Sequence, residues 1–200
     1  MSARLDPSDA PREPHALLSR WLDDAREARV AEPSSVAFVT VGDSGRPSAR
    51  TVSLKRIEDD ALLFTSALWT RKARELEHNP HVALLFHWPS LGRQVHVAGE
   101  AAIAERALAE ELFDERDMPH RLQTLVSRQG EPIEDLHPLR ERLAHLRKTM
   151  EAPPRCPPDW GALRVRAEAV EFWLKDDDRL HDRLLYERSP DGWSLTRLSP

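Results

Sequence analysis

A single cysteine, Cys156, stands in a chain of 200 residues. It cannot form an internal disulfide, and it excludes a multi-cysteine metal site. Glycine is scarce too, at seven. None of the seven falls into a GxGxxG or GxxxxGK pattern, so the usual phosphate-cradling loops are absent. There is no HExxH helix, the nine histidines are scattered, and no metal is expected. No GxSxG turn is present to raise a serine nucleophile. No apolar run approaches the ~20 residues of a membrane span, so no membrane partner is expected. The start of the chain lacks the apolar core of a secretory signal, and a cytoplasmic location is expected. The formal charge of −5 argues against a nucleic-acid partner.

What remains is ordinary for one soluble domain: 40 % hydrophobic and 32 % charged residues. Sixteen prolines suggest stiff loops. Residues 1–13 are polar, carry prolines at 7 and 11, and are expected to form a disordered tail. Residues 14–200 are read as one domain.

From Pro14, the positions Leu17, Leu18, Trp21, Leu22 and Ala25 share one helical stripe. Val36 to Val41 then alternates as a strand, and Gly42-Asp43-Ser44-Gly45 turns the chain back. Ser48 to Ile57 reads as the return strand and Ala61 to Ser66 as a third. Arg71 to His78 reads as a short helix stopped by Asn79-Pro80. Strands are expected over His81–Trp88 and Gln94–Ala104, and a helix over Glu105–Glu115. Residues 116–137 read as irregular. Leu139, Leu143, Leu146 and Met150 mark another helix. Beyond the prolines around Cys156, strands are expected near 161–166, 169–174, 183–188 and 193–198. Hairpin connections without βαβ units point to a mainly β fold of α+β type: an antiparallel barrel with peripheral helices.

Several cations sit where a ligand would use them. Arg50 and Lys55 lie on one expected strand. Strict alternation would send them to opposite faces, as ligand contacts or as solvated charges. Thr70-Arg71-Lys72 opens a helix and reads either as a phosphate site or as an ordinary N-cap with basic neighbours. Gln94 follows a turn and can present a donor and an acceptor to a heterocycle edge. Near the C-terminus, Trp173 precedes Arg179-Leu180-His181-Asp182-Arg183. Alternation would place Arg179, His181 and Arg183 on one face of an extended segment. Such a face presents two fixed cations and a titratable ring to an anionic aromatic ligand.

The ordered set Arg50-Thr51-Val52-Ser53-Leu54-Lys55, Thr70-Arg71-Lys72-Ala73-Arg74-Glu75-Leu76, Asn79-Pro80, Arg93-Gln94-Val95, Pro158-Asp159-Trp160-Gly161, Glu171-Phe172-Trp173 and Arg179-Leu180-His181-Asp182-Arg183 resembles the pyridoxamine/pyridoxine 5′-phosphate oxidase family of FMN enzymes. The resemblance spans roughly residues 15–200. It implies a split β-barrel homodimer with FMN at the subunit interface. By resemblance, Arg50, Arg71 and Lys72 hold the FMN phosphate end. Thr65 and Ser66 supply a backbone and a hydroxyl contact, and Gln94 meets the flavin ring. Gln129, Trp173 and Arg183 come from the other subunit. Lys55, Arg116, Arg179 and His181 line the substrate pocket, with Lys55 also close to the flavin. Arg179 and His181 take the catalytic, substrate-orienting role.

The chain departs from that pattern in places. Leu112 stands where the vitamin oxidases usually have tyrosine, and His120 where they usually have serine, which it would replace as a substrate-phosphate contact. Gly130 replaces a serine, and Lys175-Asp176 replace a glycine-rich stretch. Val126-Ser127-Arg128-Gln129 resembles a phenazine-biosynthesis branch of the same fold. The expected activity is FMN-dependent oxidation of pyridoxamine or pyridoxine 5′-phosphate to pyridoxal 5′-phosphate, with O2 giving H2O2. The alternatives are oxidation of dihydrophenazine-type compounds and a non-catalytic flavin- or vitamer-binding protein.

Overall fold

Strand β1 (Ser35–Val41) buries every second residue, Val36, Phe38 and Thr40, as its alternation requires. It pairs antiparallel with β2 (Pro47–Ser53) across the Gly42–Gly45 turn. In the computed structural model, which describes residues 4–200, the expected return strand is broken. β2 ends at Ser53, and β3 (Arg56–Glu58) pairs instead with β4 (Ala61–Ala67). Leu54 and Lys55 make the crossing. Leu54 N–H donates to the Ser34 carbonyl beside β1, and Lys55 N–H donates to the Leu63 carbonyl of β4, at 2.9 and 2.8 Å.

That crossing curls the sheet on itself. After helix α1 (Pro14–Glu27) and helix α2 (Arg71–His78) are set aside, the remaining strands are β5 (His81–Trp88), β6 (Arg93–Ile103), β7 (Trp160–Leu174), β8 (Asp182–Ser189) and β9 (Gly192–Leu198). The hydrogen-bonded order is β2-β1-β5-β6-β7-β4-β3, with β8 and β9 branching from β7. The two terminal strands of this path, β2 and β3, are consecutive in the chain. The result is the split β-barrel that the sequence leads one to expect.

β7 is where the barrel splits. Its first half pairs with β4 and its second half with β8, while β6 runs along both. The sequence suggests two strands here, and the structure has one. Ala98 pairs with Ala169 and Gly99 with Ala167, so Glu168 bulges out of the ladder. The extra residue resets the alternation: Leu163, Val165 and Ala167 are buried before it, and Val170, Phe172 and Leu174 after it. A Cβ on Gly99 would lie 2.1 Å from the Arg166 carbonyl oxygen, so only glycine fits beside the bulge.

α1 lays Leu17, Leu18, Trp21, Leu22 and Ala25 on the main core with Phe38, Phe64, Phe86, Trp88 and Phe172. Each large apolar side chain so buried contributes roughly 1.5–3 kcal/mol. On the opposite side, α3 (Arg106–Asp114) covers Ala61, Leu63 and Ala162 with Leu108, Ala109 and Leu112.

Two further expectations change. Residues 116–137 contain a helix, α4 (Met118–Val126), followed by α5 (His137–Thr149). Asp117 caps α4 by accepting the His120 N–H at 3.1 Å, and Pro119 stands in its first turn. The tail is not disordered over residues 4–13. Leu5 is buried in the main core, its N–H donates to Asp182 at 3.2 Å, and Arg197 donates to its carbonyl. The Tyr186 hydroxyl donates to the Pro11 carbonyl at 2.9 Å. Residues 1–3 of that expected tail lie outside the described residues.

Candidate functional site

β1, β2 and α2 meet in a buried polar corner. α2 presents Lys72, Ala73, Glu75 and Leu76 inward. Gly42, in the β1–β2 turn, lets Glu75 fold beneath it: a Cβ there would lie 3.1 Å from Glu75 Cγ. Glu75 accepts hydrogen bonds from Ser48 Oγ at 2.6 Å, from Thr40 Oγ1, and from Arg71 Nε at 2.7 Å. Arg50 donates to the same two hydroxyls, at 2.7 Å to Thr40 and 2.6 Å to Ser48, and to the Phe38 carbonyl at 3.0 Å. Burial pushes the Glu75 carboxyl up. Its hydrogen bonds from Ser48, Thr40 and Arg71 outweigh that and hold it down at about 2.

Lys72 is the uncompensated member. Only 5 % of it is exposed, and its one polar contact is Thr70 Oγ1 at 3.3 Å. Among the described residues it has no carboxylate partner. Burial, and then the nearby Arg50 charge, press its ammonium down to about 8. Thr70 does not cap α2. Its hydroxyl donates to the Ala67 carbonyl at 2.8 Å and lies 3.1 Å from Ser66 Oγ. A buried cation beside two guanidiniums and two hydroxyls calls for an anion rich in oxygen acceptors. The donor set therefore fits the phosphate end of a nucleotide cofactor such as FMN.

On the other face of β4, Thr65 lines a cavity of about 360 Å³ with Lys55, Leu112, Glu115, Arg116, Asp117 and His120. Arg116 lies over the Trp160 ring at 4.4 Å and donates to Thr124 Oγ1 at 2.6 Å. Burial lowers the pKa of Arg116, and burial together with the Arg116 charge lowers that of Lys55. His120 is exposed, with Nδ1 against the Asp117 carboxylate.

The third group sits at the far end of β7. Trp173, Lys175, Asp176, Asp177, Arg179 and His181 line a cavity of about 430 Å³. The His181 ring lies 4.7 Å from the Trp173 ring and accepts the Asp176 N–H on Nδ1 at 3.1 Å. Arg183 pairs with Trp173 across the ladder and donates to Glu171 at 2.7 Å. That contact raises the Arg183 pKa. The expected extended run of Arg179, His181 and Arg183 is not observed. Arg179 has φ of +63°, in a turn built on Asp176, and β8 starts only at Asp182. His181 and Arg179 still share a cavity, brought together by a loop rather than by strand alternation.

Gln94 pairs with Trp173, so it belongs to this far group within one chain. Gln129 does not. Its carbonyl accepts from Trp69 Nε1 at 3.3 Å, next to Thr70. Thr40, Ser48 and Glu75 were not singled out from sequence. The four-residue spacing of Arg71 and Glu75 was the available signal for the last.

Ser66 pairs with Gly161, and Trp173 lies twelve residues further along β7. That is about 40 Å of strand. Measured along β7, the phosphate-type corner and the Trp173 group of one chain are thus set apart.

Fold and site together define a split-barrel protein with a cationic corner suited to a phosphate group. Comparison with known proteins gives its family. Residues 22–150 match the pyridoxamine 5′-phosphate oxidase family model, and residues 160–200 match the pyridoxine 5′-phosphate oxidase C-terminal dimerisation region. The chain belongs to the pyridoxamine 5′-phosphate oxidase family, a family of oxidoreductases. It is 42 % identical to the pyridoxine/pyridoxamine 5′-phosphate oxidase of Rubrobacter xylanophilus, over 99 % of this chain and 92 % of that one. It is 39 % identical to the enzyme of the same name from Gluconobacter oxydans, over 96 % of each. Among solved structures, PhzG from Burkholderia lata in complex with tetrahydrophenazine-1-carboxylic acid superposes with a TM-score of 0.91 at 35 % identity, over 98 % of both chains. None of the helices among the described residues is long and apolar enough to cross a membrane.

Proposed function

We propose that this chain is an FMN-dependent oxidase of pyridoxamine or pyridoxine 5′-phosphate, working as a homodimer with one FMN across each half of the interface. The observation that carries the reading is Lys72, a buried ammonium with no carboxylate partner among the described residues, beside Arg50 and Arg71. Arg50, Arg71, Lys72 and Ser66 would hold the FMN phosphate. Gln94, Trp173 and Arg183 would close over the ring from the partner. When bound, FMN supplies the hydride-accepting ring and its reoxidation by O2.

The chain's own residues then bind and orient the substrate. Lys55 and Arg116 face one cavity as cations for the substrate phosphate. With Nδ1 engaged by the Asp176 N–H, the neutral His181 ring carries its proton on Nε2 and presents a donor to its cavity. Arg179 adds a cation on the same wall.

A second reading, oxidation of a dihydrophenazine-type compound, has its own support. Leu112 is 1 % exposed and gives the Lys55 cavity an apolar wall in place of a hydroxyl. The PhzG likeness points the same way. The test is aerobic turnover of the FMN-loaded protein, with peroxide measured on pyridoxine phosphate and on a dihydrophenazine carboxylic acid. Turnover of the vitamer supports the first reading. Turnover of the tricycle alone replaces it with the second.

A further inference from the structure

Among the described residues Glu75 is the one carboxylate inside the corner that would take the FMN phosphate, and it is 8 % exposed. A buried anion beside an anion site looks counterproductive, since it neutralises charge meant for the ligand. Its contacts argue otherwise. It meets Arg71 through Nε at 2.7 Å, which sets the plane of the guanidinium. It meets Arg50 mainly through Thr40 and Ser48, each accepting from Arg50 and donating to Glu75. The direct Arg50–Glu75 separation is 3.6 Å. Lys72, by contrast, receives nothing from Glu75.

We propose that Glu75 is a positioning residue for the phosphate end of the flavin nucleotide. It aims Arg71 and Arg50 before the cofactor arrives, while Lys72 is left to supply the uncompensated charge. This rests on the reading of the corner as an FMN phosphate site. Arginine side chains lose much rotamer freedom when they bind an anion, and a residue that orders them beforehand removes that cost from binding. Arg71, Thr40 and Ser48 engage the Glu75 carboxylate directly, so its repulsion of a bound anion is the smaller effect.

The test compares FMN with riboflavin, which lacks the phosphate, by flavin fluorescence titration of the full-length apoprotein. Wild type should prefer FMN strongly. Glu75→Gln, which is nearly isosteric, should weaken FMN by at least about fivefold and leave riboflavin within about twofold. Adding Arg71→Gln to Glu75→Gln should cost less than Arg71→Gln costs alone, because one residue acts through the other. A smaller loss of FMN affinity, tighter FMN binding, a parallel loss for both flavins, or additive effects of the two substitutions would each overturn the proposal. If Glu75→Gln does not fold, Glu75→Asp carries the same test, because its shorter arm keeps the charge but cannot reach both Arg71 and Ser48. If wild type itself does not distinguish FMN from riboflavin, the phosphate-site reading fails first, and that outcome is separately visible.

Discussion

The backbone N–H of Asp176 donates to Nδ1 of His181 across 3.1 Å, inside the loop that joins β7 to β8. The bond fixes which ring nitrogen faces the cavity with a proton. His181→Asn keeps an acceptor near Nδ1 and deletes the Nε2 donor. We expect kcat with the vitamer to fall by about 10² while FMN affinity stays within about twofold. Steady-state kinetics and a flavin titration of the same variant check this. Unchanged kcat would remove Nε2 from the reaction.

Lys72 makes cofactor affinity depend on pH. Its pKa in the cofactor-free protein is about 8, lowered by burial and by Arg50. The charged form is the one that meets phosphate. A phosphate monoester has its second pKa near 6 and is about nine-tenths dianionic by about pH 7. FMN affinity should therefore hold between about pH 7 and 8 and decline above pH 8. Lys72→Met should abolish the decline and weaken FMN by roughly 1.5–3 kcal/mol, the scale of a charge-assisted contact. The same change should raise the melting temperature of the cofactor-free protein below pH 8, where wild type buries a charged ammonium without a carboxylate partner. An affinity profile that stays parallel to wild type in Lys72→Met would exclude the lysine as its source.

His15 makes folding stability depend on pH in a lower range. It is 6 % exposed, its Nε2 has no hydrogen-bond partner, and its ring meets Trp193 edge-on at 6.1 Å. Burial lowers its pKa. Asp60 and Glu13 oppose the shift, and Arg188 adds to it. The unfolded chain therefore takes up a proton first as pH falls, so stability is intact above about pH 6.5 and declines below it. Urea unfolding from pH 7.5 to 5 should show this slope, and His15→Leu should flatten it. An equal slope in both proteins would assign it to other groups.

Lys72 and Arg183 should serve one FMN from different chains. Arg183 pairs with Trp173, about 40 Å along β7 from the position that pairs with Ser66. Homodimers of Lys72→Ala and of Arg183→Ala should each bind FMN poorly. After subunit exchange, hybrids carry one site with both residues intact, restoring up to about one site in four under random mixing. Spectrophotometric FMN stoichiometry reads this directly. No recovery, with exchange verified, means that both residues act within one chain.

Much of the architecture was legible because its signals are local. Val36, Phe38 and Thr40 alternate in one strand, and Leu17, Leu18, Trp21 and Leu22 recur in one helix, whatever surrounds them. α4 was missed although Asp117 and Pro119 announce it, because only Leu122, Thr124 and Val126 are buried on so short a helix. In sequence β7 resembles two strands, because the bulge at Glu168 shifts the inward positions by one residue and looks like a stop.

By itself the sequence determined the inventory: a β-rich chain with Arg50, Arg71, Lys72, Trp173, His181 and Arg183 in a recognisable order. Residue types and short-range periods suffice for that. The tertiary structure alone decided how the inventory is divided. It put Glu75 beneath Arg50 and Arg71, set Arg179 in a left-handed turn instead of a strand, and placed Trp173 at the opposite end of β7 from the residue that pairs with Ser66. Those are distances between segments remote in sequence. They depend on a crossing at Leu54–Lys55 and a bulge at Glu168, which no local pattern encodes.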